Sequence, residues 1–262
     1  MNSEYWTRQT PDKPLFTDLL WSRPENRAYA GKLLIVGGNA HGFAAPAEAY
    51  AFTSKAGIGT ARVMLPDALQ KSVGRVFEAG EYAPSTPSGS FSQPALAELM
   101  AMSHWADGVL LAGDLGRNSE TAIVIEKFLT KYTGQLTFTK DAIEYVSSAP
   151  TLVINRPNTL LVLSFSQLQR FATSLKFPQA FTSTMGILQV VDALHQLTTQ
   201  TSLAIITRHQ DQYIVAAGGQ VSTTPCKADD RIWRVRAASS ASVWWLQNPS
   251  KTFEALTTSL VA

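Results

Sequence analysis

The 262-residue chain has one cysteine, Cys226. An intrachain disulfide is therefore excluded, and so is a metal site built from several thiolates. A reducing, cytoplasmic setting fits that usage. Charge is also scarce, at 16% Asp, Glu, Lys and Arg with a net charge of +2. An ordinary soluble domain carries ~25%. So small an excess of positive charge, with no basic run, argues against nucleic acid as a partner. The densest basic stretch, Arg231-Ile-Trp-Arg234-Val-Arg236, alternates and reads first as the solvated face of a strand, with binding of a phosphate as the alternative. No apolar run approaches the ~18–20 residues of a spanning helix, so no membrane is expected. Met1 to Leu15 contains Glu4, Arg8, Asp12 and Lys13 and no apolar stretch, so no signal peptide is expected there. The four histidines show no metal-binding spacing, and no Gly-x-Ser-x-Gly, P-loop or full dinucleotide fingerprint occurs.

What remains is an alternation of strands and helices. Residues 1–30 read as a polar lead-in holding a short helix. Gly31–Val36 is a continuous apolar run, the mark of a strand covered on both faces. A helix-favouring segment, Ala44 to Ala56, follows, with Gly57 as its C-cap. Further strands are expected at Thr60–Leu65, Gly108–Ala112, Gln135–Thr139, Leu152–Ile154 and Leu160–Leu163. Helices are expected at Ala95–His104, Ser119–Tyr132, Ser166–Leu175 and Thr182–Leu197, and residues 80–94 read as a loop rich in Pro and Ser. Short strands follow at Leu203–Thr207, Gln212–Ala216, Gln220–Thr223 and Arg231–Val235, then closing helices at Ala238–Gln247 and Lys251–Val261. The hairpin signals are Gln210-Asp211 and Gly218-Gly219. No linker interrupts the chain. The order predicts one α/β domain over residues 1–262, with a mostly parallel central sheet and helices on both faces.

Three turns are expected where strands end: Val36-Gly-Gly-Asn39, Ala112-Gly-Asp-Leu-Gly116 and the small-residue segment Ala237–Ser242. In an open α/β sheet, ligands bind beyond the carboxyl ends of strands. Glycine there lets backbone N–H groups come close, and a helix N-terminus favours phosphate. Each turn is equally explained by the geometry of any α/β protein. Asp114 is the best carboxylate in these turns, although an aspartate in a turn also caps helices and bonds its own backbone.

The order of segments is more specific. Gly31-Lys-Leu-Leu-Ile-Val-Gly-Gly-Asn39, Phe43-Ala-Ala-Pro46, Lys55-Ala-Gly-Ile-Gly59 and Val63-Met-Leu-Pro66 together resemble the opening of the ADP-dependent NAD(P)H-hydrate dehydratases, which have a ribokinase-like fold. Ala106–Gly116 resembles that family's Gly-Pro-Gly-Leu-Gly segment, and Thr139–Ile143 stands where the family has Asp-Ala-Asp-Ala-Leu. The resemblance spans about Trp21 to Val261. It implies a ribokinase-like three-layer α/β/α sandwich. It also implies ADP or ATP and NAD(P)H hydrate as ligands, allows for Mg2+, and implies a tetramer. Low surface charge favours a homo-oligomer too, and a surface rich in Ser, Thr and Gln is the alternative.

The departures bear on activity. Ser166 replaces the histidine that touches the hydrate, the nucleotide-contacting Lys-Gly falls near Thr207-Arg208, and the Gly-Gly-Thr-Gly-Asp signature falls on Ala237–Ala241. Alanine at 241 cannot accept a proton, and a positioned base is typically worth ~10²–10⁴ in rate. The expected substrate contacts are Gly38, Asn39, Ala45, Gly113, Asp114, Gly116 and Ser166, with Arg208, Ser239 and Ser240 for the nucleotide. The catalytic residue is unassigned, with Asp114 as the displaced candidate. The chain reads as a diverged member that binds a nucleotide with little or no family catalysis. The alternative is an active dehydratase, or a small-molecule kinase, using displaced residues. The ligand is expected in a crevice formed by Gly37–Asn39, Ala44–Pro46, Gly113–Gly116 and the Ser239–Ser240 turn.

Overall fold

A computed structural model describes residues 4–75, 77–226 and 230–262. Its strands are β1 (Trp6–Arg8), β2 (Lys32–Gly37), β3 (Thr60–Pro66), β4 (Gly80–Ala83), β5 (Gly108–Gly113), β6 (Gln135–Thr139), β7 (Thr159–Leu163), β8 (Leu203–His209), β9 (Gln212–Ala217) and β10 (Gln220–Pro225). The helices are α1 (Thr17–Trp21), α2 (Ala44–Lys55), α3 (Gln70–Val73), α4 (Ala95–Trp105), α5 (Ser119–Lys131), α6 (Ala142–Ser148), α7 (Phe165–Ser174), α8 (Ile187–Gln200), α9 (Trp233–Gln247) and α10 (Thr252–Thr258).

All ten strands form one sheet in the order β1-β10-β9-β8-β7-β6-β5-β2-β3-β4. From β8 to β4 every pairing is parallel, while β8-β9 and β9-β10 are antiparallel hairpins. Gly218 and Gly219 turn the second hairpin with φ of 56° and 79°, the geometry that glycine supplies most cheaply. Side chains alternate across β2. Leu34 and Val36 enter a core with α4, α5, α7 and α8, whereas Leu33 and Ile35 enter a second core with α2, α9 and α10. The expected layers, helices on both faces of a mostly parallel sheet, are present.

Several expected elements differ. Leu152–Ile154 is not a strand. Pro150 opens a 3-10 turn there, since its fixed φ suits a helical start and its missing N–H cannot join a ladder. Arg231–Val235 is a turn followed by the first residues of α9. The Ala and Ser residues expected to form a turn at 237–242 lie inside α9, where short side chains let the helix pack against α2, β5 and β6. β1 and the edge strand β4 arise in segments read as lead-in and loop. The expected helix Thr182–Leu197 begins only at Ile187, after Gly186, whose N–H donates to Gln189 Oε1.

Candidate functional site

β2 and β5 are parallel neighbours from which the chain runs outward in both directions along the sheet, and their carboxyl ends are pinned together. Gly38 N–H donates to Gly113 O at 3.0 Å. A Cβ on Gly37 would lie 2.3 Å from the same carbonyl, so only glycine allows this approach. Asn39 Nδ2 donates to Asp114 O at 2.6 Å. Asp114 has φ 56°, a left-handed conformation that Asp tolerates better than most residues. That backbone aims its carboxylate at the start of α2, where Oδ2 accepts from Ala45 N–H at 2.7 Å. Oδ1 faces Lys140 Nζ at 3.5 Å. A carboxylate at a helix N-terminus satisfies an orphan donor and the positive end of the helix dipole. Asp114 therefore caps α2, a helix remote in sequence, while Asn118 caps α5.

The neighbouring strand ends continue the site. Gly116 N–H donates to Asp141 Oδ2 at 3.1 Å, and Tyr145 Oη donates to Gly116 O at 2.5 Å. Burial pushes the Asp141 carboxyl above the usual carboxylate range, and the charge of Asp114 adds to the rise. Burial likewise raises the Tyr145 phenol. At the end of β7, Ser164 and Gln167 form a capping box on α7. The same Gln167 reaches outward: Nε2 donates to Lys140 O at 2.7 Å, and Oε1 accepts from Arg234 at 2.8 Å. Desolvation lowers the Arg234 guanidinium, with Asp141 and Glu144 opposing the fall. Glu144 is itself paired with Arg170 at 2.7 Å. A cavity of about 930 Å³ opens among Asp114, Gly116, Lys140, Asp141, Gln167 and Arg234. That lies within the range of small-molecule sites.

The structure thus gathers Gly38, Asn39, Ala45, Gly113, Asp114 and Gly116 on one edge, and of these Asp114 and Gly116 border the cavity. Ser166 is exposed beside it, its hydroxyl 3.1 Å from that of Ser164. Arg208 stands near the end of β8, where its charge acts on the Cys226 thiol. Ser239 and Ala241 are fully buried within α9, and Ser240 donates to Ser259 O. None of these three is in a turn or borders the cavity.

The sequence alone assigns none of Lys140, Asp141, Tyr145, Gln167 and Arg234 to the site, although Arg234 lies in the basic stretch and Lys140 and Asp141 in the Thr139–Ile143 segment. Lys140 and Asp141 directly follow β6, and the rule that ligands sit beyond strand ends applies to that turn as well. The Ser164-x-x-Gln167 spacing announces the capping box. Arg234 was hidden by the strand-like alternation of residues 231–235.

Because α9 starts at Trp233, Ser239 and Ser240, expected to offer a helix N-terminus to a phosphate, lie inside the helix; residues 227–229 of the segment before it lie outside the described residues. Glycine N–H groups do not form a cradle where it is described. Ile232 N–H donates to Asp230, whose carboxylate also pairs with Arg236. An anionic side chain already holds that helix start. Among the described residues, no three His, Cys, Asp or Glu side chains gather as a metal site, and no helix is long and apolar enough to cross a membrane.

No protein-family model matches the sequence, and a comparison with curated proteins found no match. Solved structures do match. A ribokinase-like superfamily protein from Enterococcus faecalis is similar with a TM-score of 0.71 at 12% identity, covering 100% of this chain and 87% of that one. A hypothetical protein from Streptococcus mutans gives 0.69 at 12% identity, covering 92% and 84%. An ADP/ATP-dependent NAD(P)H-hydrate dehydratase from Bacillus subtilis, co-crystallised with ATP and Mg2+, gives 0.63 at 10% identity, covering 94% and 86%. Identities this low speak for architecture alone: the chain has the ribokinase-like α/β/α fold.

Proposed function

We propose that this protein binds a nucleotide or nicotinamide nucleotide in the carboxyl-edge cavity, with little or no hydrate dehydration or phosphoryl transfer. The observation that carries the reading is the cavity wall, where Lys140 and Arg234 flank Gln167 at the ends of β6 and β7. These side chains offer an anion cationic donors in place of a glycine cradle. The carboxylates argue against transfer chemistry. Asp114 is committed to α2 and Asp230 to Arg236, and Ser166 cannot do the work of a histidine.

The test is thermal unfolding with ADP, ATP, NAD or NADP. A ligand at 100 times its dissociation constant adds about 2.7 kcal/mol. A chain of this size then gains roughly 5–10 °C. No shift with any of the four sinks the reading. Clear hydrate turnover with ADP or ATP, lost on changing Ser166, sinks the inactive part of it.

A second reading, an active dehydratase or small-molecule kinase with displaced residues, rests on Asp141, whose raised carboxyl lies in the cavity. Turnover that survives in Asp114→Asn and vanishes in Asp141→Asn would select it. We also propose a homo-oligomer, with Trp21 at 88% and Tyr29 at 81% exposure as the residues to cover. Light scattering that returns a monomer removes this proposal.

A further inference from the structure

The cavity extends past its polar mouth. α5 and α6 both start at the carboxyl edge and run back along the sheet, and a stripe of each borders the void. On α5 the stripe is Ala122, Ile125 and Leu129. On α6 and its exit it is Tyr145, Ala149 and Leu152. The i, i+3, i+7 spacing places the α5 set on one helix face, while Ala149 and Leu152 follow the end of α6 at Ser148. The seven-residue step from Ala122 to Leu129 spans about 10 Å at the helical rise. Ile125 and Leu129 are themselves buried in the core and form an apolar floor, while the partly exposed Ala122, Tyr145, Ala149 and Leu152 face the open part of the arm.

Of the four carboxylates that line the cavity, Asp114, Glu144 and one oxygen of Asp141 have partners, whereas Glu126 is exposed on α5 and Asp141 Oδ1 is buried, each without one among the described residues. Asp114 holds Ala45 N–H and Lys140, Glu144 holds Arg170, and Asp141 accepts from Gly116 N–H. The spare donors are cationic. Arg234 gives one bond, to Gln167, and Arg117 at the rim has no partner among the described residues.

We propose that this groove takes the apolar end of a small amphiphile whose single anionic head meets Arg117 and Arg234 at the mouth. The proposal rests on the same cavity as the reading above, but it does not require the ligand to be a nucleotide.

Calorimetric titration with inorganic phosphate, then butyl, hexyl and octyl phosphate, tests it. Each added methylene should tighten binding by about three- to fourfold, until the ~10 Å arm is full. Ala122→Trp should flatten this dependence while leaving the head-group affinity in place. If that variant does not fold, Ser148→Trp on the exposed opposite rim does the same work. Arg117→Gln should weaken the whole series by one common factor. A dissociation constant independent of chain length, or a full dependence in both tryptophan variants, overturns the proposal. An intact chain-length series with no response to ADP, ATP, NAD or NADP supports it and sinks the nucleotide reading.

Discussion

Asp114 gives the sharpest test of how this edge is held, because three separable contributions meet in one residue. Its carboxylate bonds Ala45 N–H, its charge faces the α2 N-terminus and Lys140, and its backbone is left-handed at φ 56°. Asp114→Asn keeps an acceptor and the tolerance for that backbone. It loses the charge, which is worth ~0.3–1 kcal/mol at a helix start and ~0.2–1 kcal/mol in a partly exposed ion pair. Asp114→Gly also loses the cap bond, another ~1 kcal/mol, but relaxes the backbone. Asp114→Ala loses bond and charge and adds ~1 kcal/mol or more for a left-handed residue with a Cβ. The totals are roughly 1 kcal/mol for Asn and roughly 3 kcal/mol for Ala, with Gly between. Six tryptophans make urea unfolding easy to follow by fluorescence. The expected order of midpoints is wild type, Asn, Gly, Ala, with unchanged slopes. If Ala matches Asn, the carboxylate does not cap α2. If Gly matches Ala, the backbone is not strained.

Other outcomes follow from neighbouring contacts. Asp141 has its folded carboxyl raised by burial, so the folded state holds its proton more tightly than the unfolded chain and stability falls as pH rises above the ordinary carboxylate range of ~4. Asp141→Asn should therefore be more stable than wild type at neutral pH, with the difference closing below pH ~4; a constant difference across pH would show that the charge is not at issue. Arg156 is 9% exposed and donates to Tyr132 O and Gly134 O, each at 2.7 Å, with no carboxylate partner among the described residues. Arg156→Met strands those carbonyls and should cost ~2–4 kcal/mol by urea denaturation; a loss below ~1 kcal/mol would mean that water reaches them. Gly37→Ala forces the ends of β2 and β5 apart, and its stability should drop by ~1–3 kcal/mol in the same assay. No change would mean that the strand ends spread freely.

Much of the fold could be read from the residues, because the signals were local. The apolar run Leu33–Val36 needs cover on both faces wherever it lies, and Gly218-Gly219 needs positive φ. The order of strands and helices then left few layer arrangements. Local patterns failed where one pattern serves two structures. Arg231–Val235 alternates like a strand yet opens a helix, and the Ala-Ser run that suggested a turn is the close-packed middle of α9. Only the tertiary structure decided the site. Asp114 caps α2 across 69 residues, Gln167 meets Arg234 across 67, and Gly116 meets Asp141 across 25. These partners share no spacing that a sequence displays, because what joins them is the parallel register that brings successive strand ends to one edge. The sequence determined which segments become strands, helices and turns. Their meeting at that edge, and the gap left between α5 and α6, are properties of packing.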